Sequence, residues 1–420
     1  IGLLLASTSA AKATSQQEPI ADAANITADQ LASWVLARNP GVVELTAAAE
    51  VARLRVEPAG SLDDPTLGYT FAPRTFGRAG QGLNQKIEFS QRLPWPGTLA
   101  AREAAAEHEA TMARKDLATL RLWLAATAQS AYAEWFFVHR ALEIHHEADA
   151  LLSELKTVAE TRYAAGRALQ QDVLQAELEQ AQLDRRYLQL KRVESSVQAH
   201  INALLNRDPT APLPSPSGVT TPKVIPTLAD LESYALATHP ELKRLTAKIA
   251  AHTAHVTVAE KAFYPDVRFT AGYNSLWDEA DKRPVVGLSV NVPLDRRKRR
   301  AVLNGAKAEV RRAQSQRENR RAQLLGDLAR THAEVRESVD AVSLYETSLL
   351  PLAKEYLEAA VADYQSGAGS FLAVITAEQQ KLTTEEAHAR NRANVVRHLA
   401  ELDRWTGKPP SREGSLGERP

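Results

Sequence analysis

Histidines are the first residues in this sequence whose type and spacing suggest chemistry. His145-His146 and His252-x-x-His255 each pair two imidazoles, and a spacing of three on a helix sets both rings on one face, as a metal would need. Neither pair is completed by an acid–histidine cluster, and His145 also falls on a helical core stripe. Asp295-Arg296-Arg297-Lys298-Arg299-Arg300 resembles a nucleic-acid patch, or equally a solvated rim where a helix starts directly after a strand. Gly367-Ala368-Gly369 lacks the rest of a phosphate-binding loop and the strand before it. No serine, histidine and acid arrangement and no paired-carboxylate motif stands out. Without cysteine there is no thiolate metal site, disulfide or cysteine nucleophile. The expectation is no catalysis, no metal and no cofactor.

The elements that position these residues are mostly helical. After Pro96 the next proline is Pro209, and Gly166 is the only glycine between Gly97 and that proline. Alanine, glutamate, glutamine, leucine and arginine dominate, which favours long helices over a compact mixed domain. The 51 Lys plus Arg balance the 51 Asp plus Glu, so net charge does not point to nucleic acid. No window approaches the ~20 apolar residues of a membrane-spanning helix. Residues 1–13 read as a residual signal peptide, with an apolar core ahead of Ala11-Lys12-Ala13. A short apolar helix is the other reading of that segment. Residues 409–420 read as a disordered tail.

The chain repeats itself at a spacing of about 200 residues. Gln30–Trp34 through Asn39-Pro40 corresponds to Asp230–Tyr234 through His239-Pro240, and Arg162–Gly166 to Asp363–Gly367. The first repeat covers 14–206 and the second 227–408, joined by a proline-rich, extended linker over 207–226. Each repeat reads as helix, strand pair, very long helix, tight turn and return helix. The predicted helices are 28–57, 98–165 and 169–205, then 228–262, 295–365 and 370–406, with a kink at Pro351. In each repeat the two shorter helices together nearly equal the long one in length, as end-to-end stacking beside it requires. Leu117, Leu124, Ala131, Val138, His145, Leu152 and Ala159 recur every seven residues. On the return helix Leu169, Val173, Ala176, Gln180, Leu183, Tyr187, Leu190, Glu194, Val197, Ile201 and Leu204 form a heptad seam. Taken alone, these helices describe a soluble coiled coil.

Four strand signals change the class. Leu67, Tyr69 and Phe71, then Ile87, Phe89 and Leu93, alternate with polar or small residues. Val267, Phe269, Ala271 and Tyr273, then Val286, Leu288, Val290 and Val292, do the same in the second repeat. Matching polar loops, Arg74–Gly82 and Ser275–Arg283, join the partners. Strands of about 9–11 residues with one apolar face suit a transmembrane barrel, and suit a soluble sheet packed on a core equally well. The helices leave little for such a sheet to pack against. Four strands cannot close a barrel and lipid forbids open edges, so closure needs several copies; three give about twelve strands.

With these pieces the chain resembles the TolC-like outer-membrane efflux proteins. The duplicated layout carries the resemblance, together with the strand exit SQRLPWPG at Ser90–Gly97 and the turns RYAAGRALQQDVL at Arg162–Leu174 and DYQSGAGSFLAVI at Asp363–Ile375. The LPWPG element with Asp64-Pro65 upstream looks most like branches serving heavy-metal or other tripartite pumps. The resemblance implies a mainly α fold with a small β part. Duplicated long hairpins form an α-barrel, and four strands per chain join a trimeric 12-stranded transmembrane β-barrel. It implies a homotrimer in the lipid of a Gram-negative outer membrane, with its helices in the periplasm. It further implies a passive export duct fed by an inner-membrane pump of RND type through a periplasmic adaptor, with no nucleic-acid partner. A soluble periplasmic coiled-coil adaptor is the competing reading. Arg162, Tyr163, Gly166, Arg167, Tyr364, Gly367 and Ser370 carry over as the adaptor-docking tips. Two aspartates that narrow the entrance in some members are replaced here by Ala373 and Thr376, leaving Asp172 as the gate candidate. Lys86, Glu88, Arg92 and Arg268 are expected to face the lumen.

Overall fold

Proline decides where the first helix of each repeat breaks. The computed structural model describes residues 24–73, 84–222, 224–275, 277 and 279–408. The predicted signal segment 1–13, the tail 409–420 and nearly all of the first inter-strand loop lie outside the described residues. The helix predicted over 28–57 is three pieces, α1 (Ala28–Arg38), α2 (Pro40–Leu54) and α3 (Val56–Gly60). That predicted over 228–262 is two, α6 (Leu228–Thr238) and α7 (Pro240–Lys261). A residue before proline is driven out of the α region, and proline has no N–H to continue the ladder. Asn39 accordingly holds φ −67° and ψ 124°, and its side chain accepts from the Gly41 N–H at 3.0 Å. His239 does the same work before Pro240, accepting from the Glu241 N–H at 3.3 Å.

The long elements follow the expected boundaries closely. α4 (Thr98–Ala164) is one helix of 67 residues, and α5 (Gln170–Leu204) returns from it. The second repeat gives α8 (Arg296–Leu344), α9 (Leu350–Ser366) and α10 (Phe371–Thr406). The kink expected at Pro351 takes the form of a wide π-helical turn, Tyr345–Leu349, in which Leu350 N–H reaches back to the Tyr345 carbonyl. A proline that cannot donate is accommodated by widening the turn before it.

The chain forms two compact units, each drawing segments from both repeats. One comprises the described parts of 1–34, 128–222 and 338–397. Its core joins Leu152, Leu155 and Ala159 of α4, Ala176 and Leu183 of α5, Leu357 and Ala360 of α9, and Phe371, Val374 and Ile375 of α10. The seven-residue stripe is buried from Leu124 to Ala159, His145 included, whereas Leu117 at its start is half-buried. On α5 the seam holds at Ala176, Leu183, Leu190, Ile201 and Leu204, whereas Leu169 and Tyr187 stand exposed. The proline-rich stretch is held in place along part of its length. Strand β4 (Ser215–Pro216) pairs in parallel with β1 (Asn25–Ile26). Tyr132 O–H donates to the Ser217 carbonyl at 2.5 Å and Trp135 Nε1–H to the Pro214 carbonyl at 3.0 Å.

The other unit, built from 35–127, 223–337 and 398–420, carries the sheet. Strands β2 (Thr66–Phe71), β3 (Gln85–Leu93), β5 (Val267–Asn274) and β6 (Pro284–Val290) run in the order β2-β3-β5-β6, antiparallel throughout. One face carries Leu67, Tyr69, Phe71, Ile87, Phe89, Val286 and Leu288, and these apolar side chains are exposed, Leu67 to 76% and Leu288 to 72%. The opposite face is polar, and the outer sides of β2 and β6 have no strand beside them among the described residues.

Glycine matters most at the centre of this sheet. A Cβ on Gly272 would stand 2.4 Å from the Ile87 carbonyl oxygen and 3.2 Å from Glu88 Cα, against backbone that cannot yield. Gly272→Ala is therefore expected to lower stability by about 1–3 kcal/mol through overpacking. Gly305→Ala, in α8 with nothing within 4 Å, is expected to be neutral or to stabilise by up to ~1 kcal/mol. Thermal unfolding of both variants under the same conditions checks the contrast.

Candidate functional site

Two groups of side chains stand out, one on the sheet and one at the helical turns. On the sheet, the register sets Lys86, Glu88 and Arg92 of β3 on one face with Arg268 of β5. Glu88 lies between Gly68 and Gly272, so no neighbouring Cβ crowds it, and it pairs with Lys86. Arg92 sits directly opposite Arg268, a like-charge pair that costs stability in a sheet. Two polar groups relieve it. Asp266 accepts from Arg92 at 2.6 and 3.2 Å, and Arg268 donates to Ser90 Oγ at 3.1 Å. Asp266 also accepts the Trp95 N–H at 3.1 Å, locking the strand exit, where the Trp95 ring stacks on Tyr264 at 4.8 Å.

At the turns, two glycines in the left-handed region end the helices. Gly166 follows α4 at φ +70°, and Arg167 N–H bonds back to the Arg162 carbonyl at 2.8 Å. Gly367 follows α9 at φ +84°, with Ala368 N–H on the Asp363 carbonyl at 2.9 Å. Both are Schellman-type endings that favour glycine over any residue with a Cβ. Arg162 ties the turns together. Its guanidinium donates to the carbonyls of Tyr364 at 2.6 Å and Gln365 at 3.1 Å and lies 4.7 Å over the Tyr364 ring. A cation on the last carbonyls of α9 also meets the negative end of the helix dipole.

Tyr364 itself is buried, 4% exposed, with its ring edge-on to Phe371 at 5.3 Å. This corrects its expected place on a docking surface: packing against Phe371 takes the side chain inside, so it acts through the shape of the turn. Ser370 is the N-cap of α10, its hydroxyl accepting from Ala373 N–H at 3.3 Å. Tyr163, Gly166, Arg167, Gly367 and Ser370 are exposed. Asp172 lies in the first turn of α5, half-buried and close enough to Tyr364 to raise its hydroxyl pKa, after burial, the larger cause.

Over residues 231–408 the chain matches the family described as outer membrane efflux protein. It is 28% identical over 308 residues to Protein CyaE of Bordetella pertussis, a stretch covering 68% of this chain and 64% of that protein. The chain thus spans less than two thirds of that relative's length. The outer-membrane channel OprN superposes with a TM-score of 0.77 at 19% identity, covering 91% of this chain and 90% of that one. The outer membrane protein VceC of Vibrio cholerae superposes with a TM-score of 0.75 at 20% identity, covering 90% and 96%. The family match thus falls on the second repeat, and the solved channels share the fold across nine tenths of the chain. Its fold is shared with these outer-membrane channels, long helical hairpins together with a four-stranded antiparallel sheet.

Within this fold, the first unit also contains charged groups that sequence reading missed. His145 Nε2 lies 2.5 Å from Glu386 Oε1, and Glu386 Oε2 receives Arg186 at 3.1 Å. Burial alone would raise the Glu386 pKa, but the bonds from His145 and Arg186 prevail and hold it below the usual value. His145 is thereby a core histidine with a carboxylate partner, and no group of three or more metal-ligating side chains forms among the described residues. Glu378 is 2% exposed beside Glu179, whose carboxylate is taken by Gln379 at 2.7 Å. Burial first, then Glu179, pushes the Glu378 carboxyl up to about 7, with Lys381 opposing and Glu385 adding. Nothing in the sequence around Glu378 distinguishes it from a surface glutamate; only its helical phase, level with Val374 and Ile375, hints at burial.

Two outcomes follow from these contacts. Arg162→Ala removes charge-assisted bonds worth about 1.5–3 kcal/mol in total and should speed amide hydrogen exchange over 363–372. Arg162→Lys should not restore protection, since a point charge cannot span two carbonyls and stack on a ring at once. Between the ordinary glutamate value and about 7, folded Glu378 holds a proton that the unfolded chain has lost, so stability falls as pH rises through this window. Thermal unfolding at pH 5 and pH 8 should show about 2–3 kcal/mol more loss for the native chain than for Glu378→Gln.

Proposed function

We propose that the chain is the outer-membrane channel of a tripartite efflux system, a passive duct for solutes handed on by an inner-membrane pump through a periplasmic adaptor. One observation carries this reading: a four-stranded sheet with an exposed apolar face, a polar opposite face and two edges unpaired among the described residues. An apolar surface of that extent on a lone sheet needs a cover. In lipid the edges must also be paired, because no water is present to satisfy them. Three copies joined β6 to β2 close a ring of about twelve strands with lipid outside and the polar face within. Lys86, Glu88, Arg92 and Arg268 then line the lumen, where their charges bias which ions pass.

The exposed turn residues Tyr163, Gly166, Arg167, Gly367 and Ser370 form the docking surface for the adaptor, with Arg162 and Tyr364 holding its shape from behind. Asp172 is the gate candidate, and the pump is of RND type, as the resemblance in the turns and strand exit suggests. Catalysis forms no part of this reading. The soluble-adaptor alternative leaves the apolar sheet face uncovered and is not favoured.

The purified chain should require detergent, fractionate with the outer membrane and give discrete single-channel conductance in planar bilayers. Lys86→Ala should lower anion relative to cation permeability. A chain that stays soluble without detergent overturns the proposal.

A further inference from the structure

The start of α8 is built against the usual electrostatics of a helix. A first turn favours acidic side chains, because the unpaired N–H groups leave partial positive charge there. α8 instead opens Arg296-Arg297-Lys298-Arg299-Arg300. Asp295 is spent as the cap, accepting from the Lys298 N–H at 2.9 Å, and Arg299 reaches the Ala262 carbonyl at 2.7 Å. Arg296, Arg297, Lys298 and Arg300 are exposed and make no ion pair among the described residues. The fold does not demand this run: at the matching junction of the first repeat, α4 opens Thr98-Leu99-Ala100-Ala101-Arg102-Glu103. Four unneutralised cations packed into one turn call for an anion from outside the chain.

Position says which anion. Leu93 of β3, Val267 of β5 and Val290 of β6 stand in one register line at the end of the sheet. Just beyond that line come the Trp95–Tyr264 stack and the exposed apolar side chains of Val292, 66% exposed, and Leu294, 84% exposed. Aromatic rings of this kind gather where membrane meets water. The basic run follows within two residues of Leu294. Five consecutive residues exceed one 3.6-residue turn, so basic side chains stand on every side of the helix start, the lipid side included.

Resting on the membrane reading of the sheet, we propose that this collar binds anionic phospholipid headgroups of the periplasm-facing leaflet. The apolar pair Val292 and Leu294 meets the acyl region and the four free cations meet lipid phosphate. The attraction comes from side-chain charge complementarity, each basic residue near an anionic surface adding about fivefold to partition. Screening by salt should weaken it.

The test uses the full-length protein purified in a neutral detergent and offered phosphatidylglycerol or phosphatidylcholine, with retained lipid counted by native mass spectrometry. Inorganic phosphate serves as competitor. Phosphatidylglycerol should be retained about tenfold or more over phosphatidylcholine, the preference should shrink at high salt, and millimolar phosphate should not compete. R296Q/R297Q/K298Q/R300Q should abolish the preference, while R311Q/R312Q further along α8 should leave it intact. If the fourfold variant fails to assemble, R296Q/R297Q alone should halve the preference or more. Equal retention of the two lipids, an unchanged variant, or displacement by free phosphate overturns the inference. Failure of the membrane reading is separate and visible, since such a protein inserts into no bilayer, phosphatidylcholine included.

Discussion

A strand in hydrocarbon has to hydrogen-bond every backbone N–H and C=O to another strand, because nothing else is there to do it. The sheet meets that demand across β2-β3-β5-β6 and, among the described residues, leaves it unmet on the outer sides of β2 and β6. From this one shortfall come the need for further copies, the apolar face that has no partner within the chain, and the polar face that a lumen would wet. Among the described residues, no helix is long and apolar enough to cross a membrane. On the proposed reading the crossing falls to the strands, and the helices are free to be rich in charge.

The charges within the helical unit obey a different rule. Taking an ion out of water is costly unless specific partners replace the lost hydration. Arg162 finds two carbonyls and a ring, and Glu386 finds an imidazole and a guanidinium. Glu378 faces other carboxylates and a lysine that already serves Glu385 at 2.9 Å, so it holds its proton up to about pH 7. Along one hairpin, satisfied and unsatisfied charge lie close together. The bundle near the turns is thus held by a few directional contacts as well as by its apolar seam.

Much of the fold was legible because its causes are local. The seven-residue stripe of α4 is readable from Leu124 onward, and so are the two glycine turns, whose left-handed backbone glycine adopts without strain. Alternation identified all four strands and put Lys86, Glu88, Arg92 and Arg268 on one face. Two errors had local causes too. Asn39-Pro40 and His239-Pro240 were read as helix-compatible, although the residue before proline resists the α conformation. Leu169 and Tyr187 fit the seam in spacing, yet they stand at positions where no neighbouring helix of the chain covers them.

Sequence by itself determined the duplication, the helix and strand periods, the breaks at proline and the reversals at glycine, because each depends on residues a few positions apart. Tertiary structure alone decided the partners. Arg92 meets Asp266, His145 meets Glu386 and Arg162 meets the Tyr364 carbonyl across 174, 241 and 202 residues. Electrostatic energy depends on distance in space and on exclusion of water, and neither can be read from separation along a chain. Whether a tyrosine such as Tyr364 serves as surface or core, and whether a glutamate such as Glu378 carries charge, was settled only when helices far apart in sequence came together.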